Sequence, residues 1–186
     1  MTLNDWFEKA FSPDVYIEGM ETNKDGLLSI YDNFELPEDK AFIEHLQNQN
    51  LRAIVLTEDW CGDAMLNVPI LLRIAKEANM DVRMLLRDEN LELMDQYLTN
   101  GKARSIPIFI FIDEDGREVG KWGPRAQVIQ DFVDDSRAKL PPKDAPDHKE
   151  KAQEMYMFMN KSFRDHHDFW MDVYESLKAE LSNTKE

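Results

Sequence analysis

Cys61 is the only cysteine in the chain, and it stands where a thiol can become a nucleophile. It lies in Thr57-Glu58-Asp59-Trp60-Cys61-Gly62-Asp63-Ala64, after the apolar run Ala53-Ile54-Val55-Leu56 and before an apolar helical pattern. That order predicts a strand, a tight turn and a thiol on the first turn of a helix. Helix N-termini carry unpaired N–H groups and partial positive charge, which favour the thiolate, the reactive species. Where a second cysteine would make Cys-x-x-Cys, the chain has Ala64. Asp63, Glu58 and Asp59 act the other way, because nearby carboxylates raise a thiol pKa. The two effects are similar in size, so the expectation is an exposed thiol of moderate activation. The competing reading is a small side chain kept at a helix start, with no chemistry.

The elements that must position this thiol are legible as periodic segments. Residues 52–56 read as a strand. Gly62 to about Asn79 reads as a helix that Pro69 kinks, since an interior proline removes a hydrogen bond. Val82 to Leu86 is a second strand, followed by a short helix from Leu91 to Leu98. Ile106-Pro107-Ile108-Phe109-Ile110-Phe111-Ile112 is almost wholly apolar, as expected of a strand covered on both faces. Asp113 to Gly116 forms a turn into a return strand, Glu118 to Trp122. Gly123-Pro124 breaks that strand, and Ala126 to Leu140 is helical. Upstream, Asn4 to Met20 reads as a helix ended by Pro13, a further helical element starts at Leu27, and Pro37 to Asp39 opens another helix. Pro141, Pro142 and Pro146 make residues 141–148 a linker. Beyond it, Met155, Phe158, Met159, Phe163, Phe169, Trp170, Val173 and Leu177 follow the spacing of one long C-terminal helix, residues 149–186. The layout is α/β, with helices on both faces of a small mixed sheet.

Composition bounds the function. With 186 residues and 42% hydrophobic content, the chain fits one domain of about 130 residues plus appendages. Its net charge of −15 disfavours nucleic acid and anionic membranes as partners. No apolar run reaches the ~20 residues of a membrane-spanning helix. The start, Met1 to Trp6, lacks the pattern of a signal peptide. One cysteine allows no internal disulfide, which fits a reducing cytoplasm. No Cys/His spacing suits a zinc site, and no metal or cofactor is expected. His166 and His167 lie beside Asp165 and Asp168, but adjacent helical residues point about 100° apart, so a solvated face is expected there.

These landmarks resemble the thioredoxin superfamily over residues 52–140. Trp60-Cys61-Gly62 follows a strand, Pro69 stands eight residues after the cysteine, and Ser105-Ile106-Pro107 precedes the apolar strand. The Asp-Gly turn and Gly123 follow in order. The resemblance implies a thioredoxin-like domain over residues 1–140, with its core at 52–140 and an N-terminal helical extension. It also implies a cis bond before Pro107, with the Ile106 backbone beside Cys61, where an extended peptide or a thiol adduct could pair. The groove residues it implies are Trp60, Gly62, Asp63, Ile106, Pro107, Trp122 and Gly123 around the candidate catalytic Cys61. Trp122 fits equally well as core. Arg125 is the nearest cation after that loop, and a solvated surface arginine is expected.

The departures from the family are as informative. The resolving cysteine is Ala64, the proline of Cys-Gly-Pro-Cys is Asp63, and the buried acid six residues before the cysteine is Val55. Dithiol reductase activity is therefore not carried over, and the chain is most similar to single-cysteine thioredoxin-like bacterial proteins. The functional expectation is a monothiol protein with a thiol–disulfide oxidoreductase role, forming mixed disulfides at Cys61 with a protein or a low-molecular-weight thiol. The alternative is a redox-inactive binding module for a protein or ligand. Glutathione binding of the glutaredoxin type is not expected: no lysine precedes Cys61, no paired glycines follow the last strand, and the local acids would repel anionic thiols. Peroxiredoxin chemistry is disfavoured because Glu58 holds the threonine position. Aromatic residues beyond the linker lack partners in this reading, which points to a homodimer through the C-terminal helix.

Overall fold

The computed structural model describes residues 1–184; residues 185 and 186, at the end of the expected C-terminal extension, lie outside the described residues. The helices are α1 (Leu3–Lys9), α2 (Pro13–Glu18), α3 (Lys24–Asn33), α4 (Lys40–Gln49), α5 (Gly62–Ala78), α6 (Leu91–Met94), α7 (Gln127–Ala138), α8 (His148–Asp165) and α9 (His167–Ser182). The strands are β1 (Arg52–Thr57), β2 (Asp81–Leu86), β3 (Ile108–Ile112) and β4 (Glu118–Trp122). They form one mixed sheet in the order β2-β1-β3-β4. β1 runs parallel to β2 and antiparallel to β3, and β4 returns antiparallel to β3. The parallel pair needs a crossover, and α5 supplies it.

Burial follows from the strand sequences. Ala53 to Leu56 and Phe109 to Ile112 are completely buried. Side chains alternate between the two faces of a strand, so both faces of the central pair are covered. The β3–β4 turn places Gly116 at φ +80, and Asn4 fills the space where a Cβ would lie. Asn4 donates to the Asp115 carbonyl, and Arg52 donates to the Asp113 carbonyl and to Asn4 Oδ1. The N-terminal helices are thereby tied to the sheet.

The first helix, α1, ends at Lys9, before Pro13, and Pro13 opens a further helix, α2, that was not expected. Thr2 and Asp5 make a reciprocal capping box for α1, while Ser12 caps α2 and Pro13 occupies its first turn. Proline suits that position because its missing N–H would have had no partner there. The single long C-terminal helix is α8 and α9, parted at His166, which has φ −93 and ψ 96. No proline or glycine marks the corner. It is held by tertiary contacts: the buried indole of Trp170 donates to the Phe163 carbonyl at 2.7 Å, satisfying a carbonyl near the end of α8.

Trp170, Val173, Tyr174, Leu177 and Leu181 are all buried on one face of α9. That face packs on α5, α7, α4 and β4. Phe163 is buried as well, and Phe169 lies 4.9 Å from the Phe132 ring. Trp170, Phe163 and Phe169 thus have partners within their own chain, whereas Tyr156 and Phe158 of α8 are exposed. Leu177→Ala should lower stability by about 2–5 kcal/mol, because it leaves a cavity in the core. Urea unfolding reads this directly, and an unchanged midpoint would mean that α9 is not part of the cooperative core.

Candidate functional site

The turn between β1 and α5 is clamped from several sides. Asp59 accepts the backbone N–H groups of Glu21 and Thr22 at 2.8 and 3.1 Å, and its carbonyl accepts from Asn23. Glu58 accepts from Asp88 N–H at 2.9 Å, and burial pushes its carboxyl above the ordinary value. Both acids point their oxygens at backbone donors. Trp60 is half exposed, with the Arg87 guanidinium 5.0 Å over its ring, a cation–π contact.

Cys61 is the N-cap of α5. Its Sγ accepts from Ala64 N–H at 3.4 Å, and the thiol donates to the Ile106 carbonyl at 3.5 Å. The residue is only 8% exposed. Burial first, and the Asp63 charge second, push its pKa up to about 11, although the Ala64 and Asp63 N–H groups and Arg125 pull it down. The expectation of an exposed, moderately activated thiol is thus overturned. Beside the thiol, α8 is seated over the start of α5. Asn160 Oδ1 lies 2.0 Å from where a Cβ on Gly62 would stand, so α8 lies directly over the backbone beside the thiol.

Asp63 and Arg125 form a part-buried bidentate pair, Nε to Oδ1 at 2.8 Å and Nη2 to Oδ2 at 2.7 Å. Arg125 also donates to Gln130 at 2.9 Å. The expectation of a solvated Arg125 is therefore corrected. Burial works to raise the Asp63 pKa, and the guanidinium opposes it; the two parallel bonds are the geometry of an ionised carboxylate held by arginine.

The Ile106–Pro107 and Gly123–Pro124 bonds are both cis. Gly123, at φ +127, has the Pro107 carbonyl oxygen 2.2 Å from its would-be Cβ. Only glycine permits both that backbone angle and that approach. Asn67 donates to the Pro124 carbonyl at 2.9 Å and anchors the same segment to α5. The fold thus joins Cys61 to Ile106 and Gly123 to Pro107. Trp122 does not belong to the groove: it is buried, stacks on Phe109 at 5.1 Å and donates to Ser176 at 2.9 Å.

Beside the thiol lies a cavity of about 330 Å³, lined by Trp60, Cys61, Gly62 and Asp63 together with side chains from α7 and α8. Among the latter are Arg137, Tyr156 and Asn160. Sequence reasoning did not bring α7 and α8 to the site. The absence of a side chain at Gly62 is the one local signal that something approaches there. Among the described residues no group of three or more His, Cys, Asp or Glu side chains could hold a metal, and no helix is long and apolar enough to cross a membrane.

A family model described as thioredoxin matches residues 10–139. That is more than half of the chain, and the chain belongs to the thioredoxin family. It is similar over 96% of its length to 98% of a protein of unknown function, PA1234, from Pseudomonas aeruginosa, at 17% identity and a TM-score of 0.65. It is also similar over 94% of its length to 99% of an HIV epitope-scaffold, at 15% identity and a TM-score of 0.60. A Fasciola hepatica thioredoxin aligns with 50% of this chain and 89% of its own, at 24% identity and a TM-score of 0.34. No curated protein matches the sequence. The first two likenesses show that the added helices belong to a shared fold.

Two outcomes test this geometry. Arg125→Gln should cost up to about 3–5 kcal/mol, the upper end for a fully buried pair, because it strands a part-buried carboxylate; adding Asp63→Asn should recover most of that loss in a double-mutant cycle. If the second change recovers nothing, the pair is not coupled. The folded thiol pKa lies above its ordinary value of 9.0, near 11, so the protonated thiol stabilises the fold. This contribution is complete below about pH 9 and is lost as pH rises towards about 11. Unfolding free energy relative to Cys61→Ser should decline across that window, and alkylation of Cys61 should keep rising through it. Alkylation that levels off near pH 9 contradicts the buried thiol.

Proposed function

We propose that this thioredoxin-family protein acts as a monothiol in thiol–disulfide exchange, forming mixed disulfides at Cys61 that an external thiol resolves. One observation carries the reading. The single sulfur sits at the N-terminus of α5, against the Ile106 carbonyl, and opens onto a cavity. Trp60, Gly62 and Asp63 line that cavity with it.

The reaction balances with two reagents of one chemical class. Cys61 loses its proton to solvent, and its sulfur attacks a disulfide, RS–SR. A new bond joins Cys61 to one sulfur, the old S–S bond breaks, and the leaving thiolate takes up a proton. A second thiol then attacks the adduct, carries R away as a disulfide and returns Cys61 to its starting state. Ala64 offers no internal thiol to do this. A reducing cytoplasm would supply the resolving thiol.

The burial of Cys61 favours a second reading, a binding module that keeps the groove without redox chemistry. Mass spectrometry after treatment with diamide and a small thiol separates the two. The wild-type protein should gain the mass of one thiol at Cys61, and Cys61→Ser should gain none. If no adduct forms even as the pH is raised towards about 11, where the Cys61 thiol ionises, while a control monothiol is modified, the binding module stands.

A further inference from the structure

We infer that the α8-roofed cavity beside Cys61 is a subsite for a small disulfide or thiol bearing a carboxylate, held by Arg137 and Asn160, and that α8 excludes protein disulfides. This rests on the monothiol reading above and names its substrate class.

Steric access argues for a small molecule. An extended protein segment would have to pair with Ile106, but Ile106 is buried and its carbonyl already accepts from the Cys61 thiol. Asn160 stands over Gly62, so strand addition would first require α8 to leave. A volume of about 330 Å³ lies at the lower end of small-molecule sites.

Charge argues for an anion. The cavity is lined by one carboxylate, Asp63, and two guanidinium groups, Arg125 and Arg137. Asp63 and Arg125 neutralise each other, and Arg125 gives a third donor to Gln130. Arg137 is exposed, and its guanidinium has no hydrogen-bond or ion-pair partner among the described residues. The Asn160 side chain likewise has no hydrogen-bond partner among them. The cavity is thus locally positive in a chain of net charge −15. The acids expected to repel an anionic thiol do not face it unpaired: Glu58 and Asp59 accept from backbone N–H groups, and Asp63 is bound to Arg125. A carboxylate at Arg137 would gain a charge-assisted, bidentate contact.

The test measures the rate of mixed-disulfide formation at Cys61 by mass spectrometry, in the full chain, with four probes. Oxidised glutathione is anionic, bis(2-hydroxyethyl) disulfide neutral, cystamine cationic, and insulin a protein disulfide. The ratio of the oxidised glutathione rate to the cystamine rate should fall about 3- to 5-fold in Arg137→Gln, the scale of a partly exposed ion pair. Lys139→Gln removes the same charge from the C-cap of α7, outside the cavity, and should leave the ratio near its starting value. Insulin should react far more slowly than the small disulfides. A ratio that Arg137→Gln does not move, or that both variants move equally, overturns the subsite while the monothiol reading stands. Insulin reacting as fast as the small probes overturns the exclusion by α8. No adduct with any probe overturns the monothiol reading and this inference with it.

Discussion

The ion pair between Asp63 and Arg125 holds the site together. Asp63 sits in the first turn of α5, where its charge suits the helix terminus. Burial there would still cost several kcal/mol without a partner. Arg125 answers with two bonds at 2.8 and 2.7 Å and reaches on to Gln130 of α7. The pair therefore fixes the segment after β4 against the start of α5. That segment presses Gly123 on the Pro107 carbonyl, and the residue before Pro107 offers the carbonyl that receives the Cys61 thiol. The Ile106 contact of the sulfur thus leads back to this one pair.

The state of the thiol is decided by a competition of known sign. The terminus of α5 brings N–H groups towards Sγ and favours the thiolate. Burial favours the neutral thiol, and it is the larger effect. A neutral thiol donating to a carbonyl is also the arrangement that leaves no charge unpaired in the interior. Helix placement alone thus does not make a cysteine reactive. What covers the helix terminus matters more, and here the cover comes from the far end of the chain.

Much of the fold was legible because it is written locally. The apolar run of β3, the Asp-Gly turn with Gly116 at φ +80 and proline 69 within α5 each leave a mark in a few adjacent residues. The thiol, Ile106, Pro107 and Gly123 were placed by spacing along those elements. Arg125 was not, since its partner lies 62 residues away and a lone arginine after a loop is usually solvated. Trp122 was ambiguous because an aromatic residue at a strand end serves rim or core equally well. Only the ring of Phe109 and the hydroxyl of Ser176 decide it. The corner at His166 lacks any breaker residue, so the helical period runs through it unbroken. Its cause is the Trp170 indole on the Phe163 carbonyl, a contact with no period to read.

That corner explains why the C-terminal region reaches the site at all. α9 is fixed by a fully buried face against α5, α7 and β4. A single residue, His166, separates it from α8, so α8 has little freedom in where it lies. It packs on α3, α5 and α7 and carries Tyr156 and Asn160 over Gly62 and Cys61. Packing energy spent on α9 thereby sets the chemistry at the thiol. The same logic reverses the charge argument drawn from neighbouring residues. Glu58, Asp59 and Asp63 flank Cys61 in sequence, but each is committed to a backbone donor or to Arg125. The unpaired charge that remains at the cavity belongs to Arg137, which the fold brings in from α7. Nearness along the chain therefore gives the wrong sign for the field at the cavity, and nearness in the fold gives the right one.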